Sequence, residues 1–368
     1  MSLDLDKILR HEIYIQRLAS GELNSAVYPS LTETMKAVKA ILAHHDIVPN
    51  ISELNKITRA ITEEINSQKG WATLTTSLQS VATYEAAFQA SVLTEAFAHK
   101  MNIPSDTSVL RYINKSIMSL ESGSRVDAGI WSQYVKANVD NQANTINKIV
   151  INAYGQGKAL NSITKDIQTA FDGVIKREAE SLARTGFAHY TAQANEAMIQ
   201  DNKDILSDYY YVVVFDSRLS DVCRNLDLRY NAPGKRFSVG DKSAPFPPLH
   251  YRCRTRRIAT PKDWEPQGLK ASVGAREGGK DAFLARKERA DGKVVKYRGR
   301  NDKAFKGKQI KASTGYEAWL KSQPKWFVVE TLGKTRADLF TSGKYSLKSF
   351  TDLTGRTLTL DELMVKGG

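Results

Sequence analysis

Hydrophobic residues recur at three- and four-residue spacing through most of the first 200 residues, a pattern typical of amphipathic helices. In the first segment these positions are Leu5, Ile8, Leu9, Ile13, Ile15 and Leu18. Similar segments cover residues 31–45, 51–67, 72–100, 106–121, 125–155 and 162–200. The pattern therefore predicts a series of packed helices.

Capping residues predict where some of these helices begin and end. Ser30 has a glutamate three residues later, and Ser52 directly precedes a periodic run, so both are predicted to begin helices. The glycines of Gly155–Gly157 favour a helix end, because glycine tolerates the left-handed backbone of a C-terminal cap. Ser162 is then predicted to cap the next helix.

The pattern changes near residue 206. Tyr209–Phe215 is aromatic and β-branched, so it is predicted to be a strand. Arg254–Ala259 is predicted to be another short strand. Proline and glycine are frequent between them. A loop-rich unit of about 60 residues has only a thin core of its own. A helical pattern returns at Tyr316.

These patterns predict a mainly helical α+β protein in three parts. Residues 1–140 form an N-terminal helical region that we expect to dock on a partner. Residues 141–262 form a central helical and small β-containing unit. Residues 263–368 form a basic arm followed by a small helical unit.

Charge adds a possible partner to this picture. The 368 residues include 53 Lys and Arg against 40 Asp and Glu, for a net charge of +13. The arm from Arg286 to Lys311 holds eleven cations and three acidic residues. Such an arm can contact DNA phosphates without reading bases, or it can be a solvated linker. The candidate DNA contacts are Arg286, Lys287, Arg289, Lys293, Lys296, Arg298, Arg300, Lys303, Lys306, Lys308 and Lys311.

Hydropathy predicts no secretory signal and no membrane span. Charges are scattered through the first twelve residues. The longest strongly apolar run, Tyr209–Phe215, is far shorter than the ~20 residues that a bilayer needs. We therefore expect the protein to be made in a cytoplasm-like compartment, where its two cysteines stay reduced.

Both cysteines lie in one stretch, Tyr209–Arg257, which we call the Cys–His segment. Cys223 is on one side of its Gly- and Pro-rich middle, and His250 and Cys253 are on the other. Thiolates and imidazoles are zinc ligands, and His-x-x-Cys is a workable chelate spacing. An aspartate would complete a zinc site, and the candidates are Asp216, Asp221 and Asp241.

Two other interpretations of the cysteines remain open. A thiolate beside an imidazole and several arginines would be nucleophilic, although no clear third group orients the pair. Alternatively, the cysteines are small buried hydrophobic residues and His250 bonds to the backbone of a turn. The motifs GxxxxGK[ST], HExxH and GxSxG do not occur, so sequence chemistry does not demand an enzyme.

The ordered motifs of residues 140–260 resemble the Mu F-like minor head protein family of tailed bacteriophages. Arg184–Thr185 matches an Arg-Thr pair of the family, and Phe215–Asp216 ends a predicted strand before Cys223. Asn225–Asp227 stands where the family usually has Leu-Asp-Gly. Pro247–Arg254 follows the pattern Pro-Pro-x-His-x-x-Cys-Arg. The segment after Tyr316 resembles the C-terminal segment of some members.

This chain departs from the family pattern at two positions. Tyr251 follows His250 where the family usually has proline. Ser220 stands three residues before Cys223, where the family often has a second cysteine. The missing thiol weakens the case for a site with four protein ligands.

The resemblance implies a structural and assembly protein of the phage head rather than an enzyme. It implies the portal protein, other head proteins and packaged double-stranded DNA as partners, a location in the virion head after assembly in the host cytoplasm, and a role in DNA packaging or ejection. It implies no established cofactor and no membrane in the assembled head.

The main alternative is a metal-dependent nuclease built on Asp216, Cys223, His250 and Cys253. A nucleic-acid-binding protein of non-viral origin is a third possibility.

Overall fold

The structure is a computed structural model that describes most of the chain. The described residues are 3, 5–45, 50–122, 125–216, 219–232, 234–267, 269–271, 286–288, 294–296, 309–352 and 357–366.

Helices dominate these residues. Up to residue 230 they are α1 (Leu5–Glu22), α2 (Tyr28–Ala43), α3 (Ile51–Asn66), α4 (Gly70–Phe97), α5 (Asp106–Lys115), α6 (Trp131–Gly155), α7 (Leu160–Ala170), α8 (Lys176–Gln200) and α9 (Asp221–Tyr230). After residue 315 they are α10 (Tyr316–Lys321), α11 (Lys325–Leu332), α12 (Lys334–Thr341), a 3-10 turn (Leu347–Phe350) and α13 (Leu360–Lys366). One π-helical turn, Leu23–Val27, joins α1 to α2, and another, Phe171–Ile175, joins α7 to α8.

The strands form small antiparallel pairs. They are β1 (Met118–Ser122) with β2 (Arg125–Gly129), β3 (Asp208–Val212) with β4 (Arg256–Thr260), β5 (Leu269–Ala271) with β8 (Gln309–Lys311), and β6 (Arg286–Glu288) with β7 (Val294–Lys296). The predicted fold class, mainly helical α+β, is confirmed. None of the described helices is both long and apolar enough to cross a membrane.

The larger of two hydrophobic cores, which we call the first core, lies among the helices. Buried side chains of α1–α8 meet there, with α8 along its centre, and the β1–β2 hairpin and the β3–β4 pair cover it. A buried ion pair joins two parts of this core that are far apart in the sequence. Arg256 of β4 contacts Glu12 of α1, and both side chains are less than one-tenth exposed. The first core thus continues across residue 140, where the sequence predicts a boundary.

The second core joins the Cys–His segment to the C-terminal helices. Val213, Phe215, Cys223 and Cys253 pack there against buried residues of α10–α13. Hydrogen bonds reinforce the contact at Tyr316: its backbone N–H donates to Asp227 of α9 (2.8 Å), and its hydroxyl donates to the Asp216 carbonyl (2.8 Å).

Some local predictions are wrong. Residues 118–121 and 125–129 are helical in the prediction but form the β1–β2 hairpin, in which Met118 and Leu120 are buried and Ser119 is exposed. Such a short alternation is hard to separate from the end of a helical pattern. Gly155 does end α6, as predicted, and Gly157 has a φ of +62°.

The predicted caps also fail. Ser30 lies inside α2 and its hydroxyl accepts from the Gly70 N–H instead (3.1 Å). Asn50, rather than Ser52, caps α3 by accepting from the Glu53 N–H (3.1 Å). The α7 helix begins two residues before Ser162. The partner of Ser30 lies 40 residues away, so the local pattern does not reveal it.

The basic arm lies mostly outside the described residues. Of its eleven candidate DNA contacts, Arg289, Lys293, Arg298, Arg300, Lys303, Lys306 and Lys308 fall there. Arg286, Lys287, Lys296 and Lys311 lie on β6, β7 and β8. Because β5 precedes the arm and pairs with β8 at its end, the arm leaves and returns at one place on the molecule.

Candidate functional site

The site begins at the N-terminus of α9. The Ser220 hydroxyl caps this helix by accepting a hydrogen bond from the Cys223 N–H (3.3 Å). This cap places Cys223 on the first turn, where its side chain is 1% exposed and faces the second core.

A tight turn supplies the other two residues. The Cys253 N–H donates to the His250 carbonyl (3.2 Å), and between them Arg252 has a φ of +61°, in the left-handed region. The Arg252 N–H donates to the buried hydroxyl of Thr185 on α8 (2.9 Å). On the other side, the Glu121 N–H of β1 donates to the Leu249 carbonyl (2.8 Å). The turn is therefore held between α8 and the hairpin.

These elements bring three side chains into one cluster. Cys223 Sγ lies 3.2 Å from His250 Nε2 and 3.6 Å from Cys253 Sγ. One ligand atom from each of the three residues lies within 4.8 Å of the other two. The structure thus brings together Cys223, His250 and Cys253, as the metal interpretation requires.

The hydrogen bonds of His250 fix how its ring faces the thiols. Nδ1 lies 2.8 Å from the Tyr251 carbonyl, which can only accept, so Nδ1 carries the proton. In the neutral ring, Nε2 then presents its lone pair to Cys223 Sγ and to Ser220 Oγ, which is 2.8 Å away.

The cluster shifts the pKa values of its two thiols in opposite directions. A hydrogen bond from Cys223, assisted by His250, holds the pKa of Cys253 below its ordinary value. The same hydrogen bond and burial raise the pKa of Cys223. Burial alone would lower the pKa of His250, but its interaction with Cys253 raises it. Cys253 is therefore the thiol that ionises more easily.

Asp216 does not join the cluster, contrary to the predicted ligand set. Both of its carboxylate oxygens contact the Arg254 guanidinium, with Nη2 at 2.9 Å from Oδ1. Asp216 is 5% exposed, so this ion pair satisfies a buried charge. The other aspartates are also engaged elsewhere, Asp221 with Arg224 (2.8 Å) and Asp241 with Ser243 (2.7 Å).

Comparison with known proteins assigns the central region to a family. Residues 144–258 match the family model described as phage Mu protein F like protein. This central region is Mu F-like. The match confirms the resemblance and supports a protein of phage head morphogenesis, located in the virion among other head proteins. No curated protein and no solved structure matched the chain.

The Mu F-like region contains three contributors to the site whose roles the sequence did not reveal: Thr185, Ser220 and Arg254. Thr185 holds the turn, Ser220 caps α9 and contacts His250, and Arg254 neutralises Asp216. Each belongs to a family motif or to a departure from one, and that was the available signal. Their partners lie 67, 30 and 38 residues away, so local spacing cannot identify them.

A cavity of about 380 Å³ lies beside the cluster but does not include it. Asp127 of β2, Tyr134 of α6, Glu178 of α8 and Tyr251 contribute to its lining, whereas Cys223, His250 and Cys253 do not. This cavity therefore does not open onto the cluster. Two buried thiols and a half-buried imidazole in contact are suited to holding their elements together.

Proposed function

We propose that this protein is a minor head protein that acts in phage head morphogenesis, associates with the portal, and takes part in DNA packaging or ejection. The match of residues 144–258 to the Mu F-like family carries the proposal.

The environment of the motif residues supports a structural role rather than catalysis. Thr185, Asp216 and Cys253 are each at most 5% exposed, and each makes a contact between separate elements. A nuclease needs an open metal position and a base within reach of water. Asp216 is bound to Arg254 and both thiols are buried, so neither supplies a base within reach of water.

The portal and other head proteins are the partners we propose for the N-terminal helical region, residues 1–140. Its helices share the first core with α8, so the region is anchored on the Mu F-like region rather than loosely attached. A rigid helical surface of this kind is suited to docking on another protein.

Coexpression of the full chain with the portal and major capsid proteins of its own phage tests the head assignment. We expect the chain to sediment with procapsids when the portal protein is present, and to be lost from them when the portal protein is omitted. Sedimentation apart from procapsids in both cases would contradict portal association.

We propose packaged DNA as the partner of the basic arm. The arm carries eleven of the 53 cations in 26 residues, and β8 at its end pairs with β5. Binding through phosphates would release counterions, and the affinity would fall steeply with salt.

Charge variants of the arm test DNA binding. Replacing Lys293, Lys303, Lys306 and Lys308 by Gln should reduce the slope of log affinity against log salt by about 3 to 4. The matched control replaces four exposed lysines of helices, Lys36, Lys56, Lys136 and Lys325, and should leave the slope nearly unchanged. Equal effects of the two sets would show that only net charge matters.

A further inference from the structure

The spacing of the cluster is slightly shorter than that of a tetrahedral metal site. With a Zn–S distance of about 2.3 Å and a Zn–N distance of about 2.1 Å, two sulfurs lie about 3.8 Å apart, and sulfur and nitrogen about 3.6 Å apart. The observed Sγ–Sγ and Sγ–Nε2 distances are 3.6 and 3.2 Å. A disulfide would need the sulfurs at about 2.05 Å. Small outward shifts of the side chains would therefore admit an ion.

The hydrogen bonds around His250 already have the form that a metal ligand requires. A ligating histidine donates its other ring N–H to a carbonyl or carboxylate, which fixes its tautomer and orientation. Here Nδ1–H donates to the Tyr251 carbonyl, and Nε2 faces the sulfurs.

A buried hydroxyl beside Cys223 would suit a metal-bound sulfur at that position. Thr255 is 4% exposed, and its Oγ1 lies close enough to Cys223 to hydrogen-bond to the sulfur. A metal-bound thiolate at Cys223 would give this hydroxyl an acceptor.

Ser220 occupies the fourth corner of the cluster. Its Oγ lies 2.8 Å from His250 Nε2, whereas Asp216, the predicted fourth ligand, is held by Arg254. Three protein ligands with a hydroxyl or water as the fourth give a weaker site than four soft ligands, because a neutral oxygen is a poor zinc ligand beside thiolate.

We propose that Cys223, Cys253 and His250 bind one zinc ion, with Ser220 at the fourth position, and that this ion closes the second core. Two thiolates and an imidazole favour zinc over magnesium or calcium, which prefer oxygen ligands. The ion would join α9 to the turn at Arg252 at the place where both pack against the C-terminal helices.

Metal analysis of the full chain gives the first test. We expect about one zinc per chain after purification without chelator. Cobalt substituted for zinc should give the near-ultraviolet absorption of sulfur-to-cobalt charge transfer, and Cys223→Ser and Cys253→Ser should each reduce it. Cobalt bound without that absorption, or equal zinc in wild type and both variants, would overturn the proposal.

A thiol count distinguishes metal from a disulfide without any variant. We expect two thiols to react in the denatured, unreduced protein. In the native protein, we expect both thiols to be protected until a chelator is added. The absence of free thiols after denaturation would show a disulfide and contradict the zinc site.

A gain of affinity gives the sharpest test, because it does not depend on the loss of a ligand. Ser220→Cys should raise zinc affinity about tenfold or more by supplying a fourth soft ligand. Ser342→Cys adds a thiol at an exposed position far along the chain and should leave the affinity unchanged. Equal affinities of the two variants would contradict the placement of Ser220. These outcomes do not depend on whether the protein sediments with procapsids.

Discussion

The two hydrophobic cores are built in different ways. The first core is large and consists of the faces of long helices; among the described residues it holds 56 buried side chains. The second core holds 16, and its helices α10–α12 are only six to eight residues long. Short helices are marginal on their own, so the second core depends on what it packs against.

The difference between the two cores explains the position of the cluster of Cys223, His250 and Cys253. It sits where the second core meets loops and turns, not inside the first core. A small core that buries few apolar side chains gains more stability from an added cross-link, such as a bound metal, than a large core does. We therefore interpret the cluster as a cross-link that stabilises the second core.

The largest expected effects come from two matched core variants, Phe187→Ala in α8 and Phe327→Ala in α11. Both side chains are fully buried, so each change should cost about 3–5 kcal/mol by cavity formation. Phe187→Ala should destabilise the whole chain. Phe327→Ala should loosen α10–α13 and leave the first core folded.

Urea unfolding combined with segment-resolved hydrogen exchange measures this difference. The account predicts a global loss of protection for Phe187→Ala and a local one for Phe327→Ala. The same global pattern for both variants would show that the two cores unfold as one unit.

The next largest effect is expected from His189, a buried histidine of α8. Its pKa is lowered, whereas the pKa of His250 is raised. Burial lowers the pKa of His189 to about 4, from an ordinary value of 6.5. The folded state thus favours neutral His189. The contribution of this preference to the free energy of unfolding is complete above pH 6.5 and is lost as the pH falls from 6.5 to 4. The difference corresponds to about 3 kcal/mol.

Comparison with His189→Gln isolates that contribution. Glutamine keeps a polar group near Ser116, which contacts His189 Nε2 at 2.8 Å, but it does not titrate. Between pH 6.5 and 4, the free energy of unfolding should fall further in wild type than in the variant. Parallel pH curves would contradict the assignment.

The smallest expected effect concerns Thr185, which connects the first core to the cluster. Thr185→Val keeps the shape but removes the acceptor of the Arg252 N–H, which should cost about 1–3 kcal/mol. Thr169→Val, on an exposed helix face where the hydroxyl bonds within its own helix, should have little effect. Equal losses in chemical denaturation would indicate that Thr185 does not hold the turn.

Sequence reasoning succeeded where local patterns decide the structure. Apolar periodicity identified most helices of the first core, and aromatic and β-branched content identified β3. The β1–β2 hairpin was missed, because its alternation is short and follows directly on a helix.

The site was predictable only in part, for a similar reason. The His-x-x-Cys spacing is local, and it indicated a possible partnership of His250 and Cys253. Asp216 was a reasonable fourth ligand by type, but Arg254 competes for it, and only the fold brings those two together. The role of Thr185 likewise depends on a contact made across 67 residues.

Hydrogen exchange of the full chain before and after chelation tests the central claim most directly, namely that the cluster fastens the second core. With one zinc removed, exchange should accelerate in α9 and α10–α12 and stay unchanged in α4 and α8. Identical exchange with and without chelator, or an acceleration spread evenly over both cores, would contradict it.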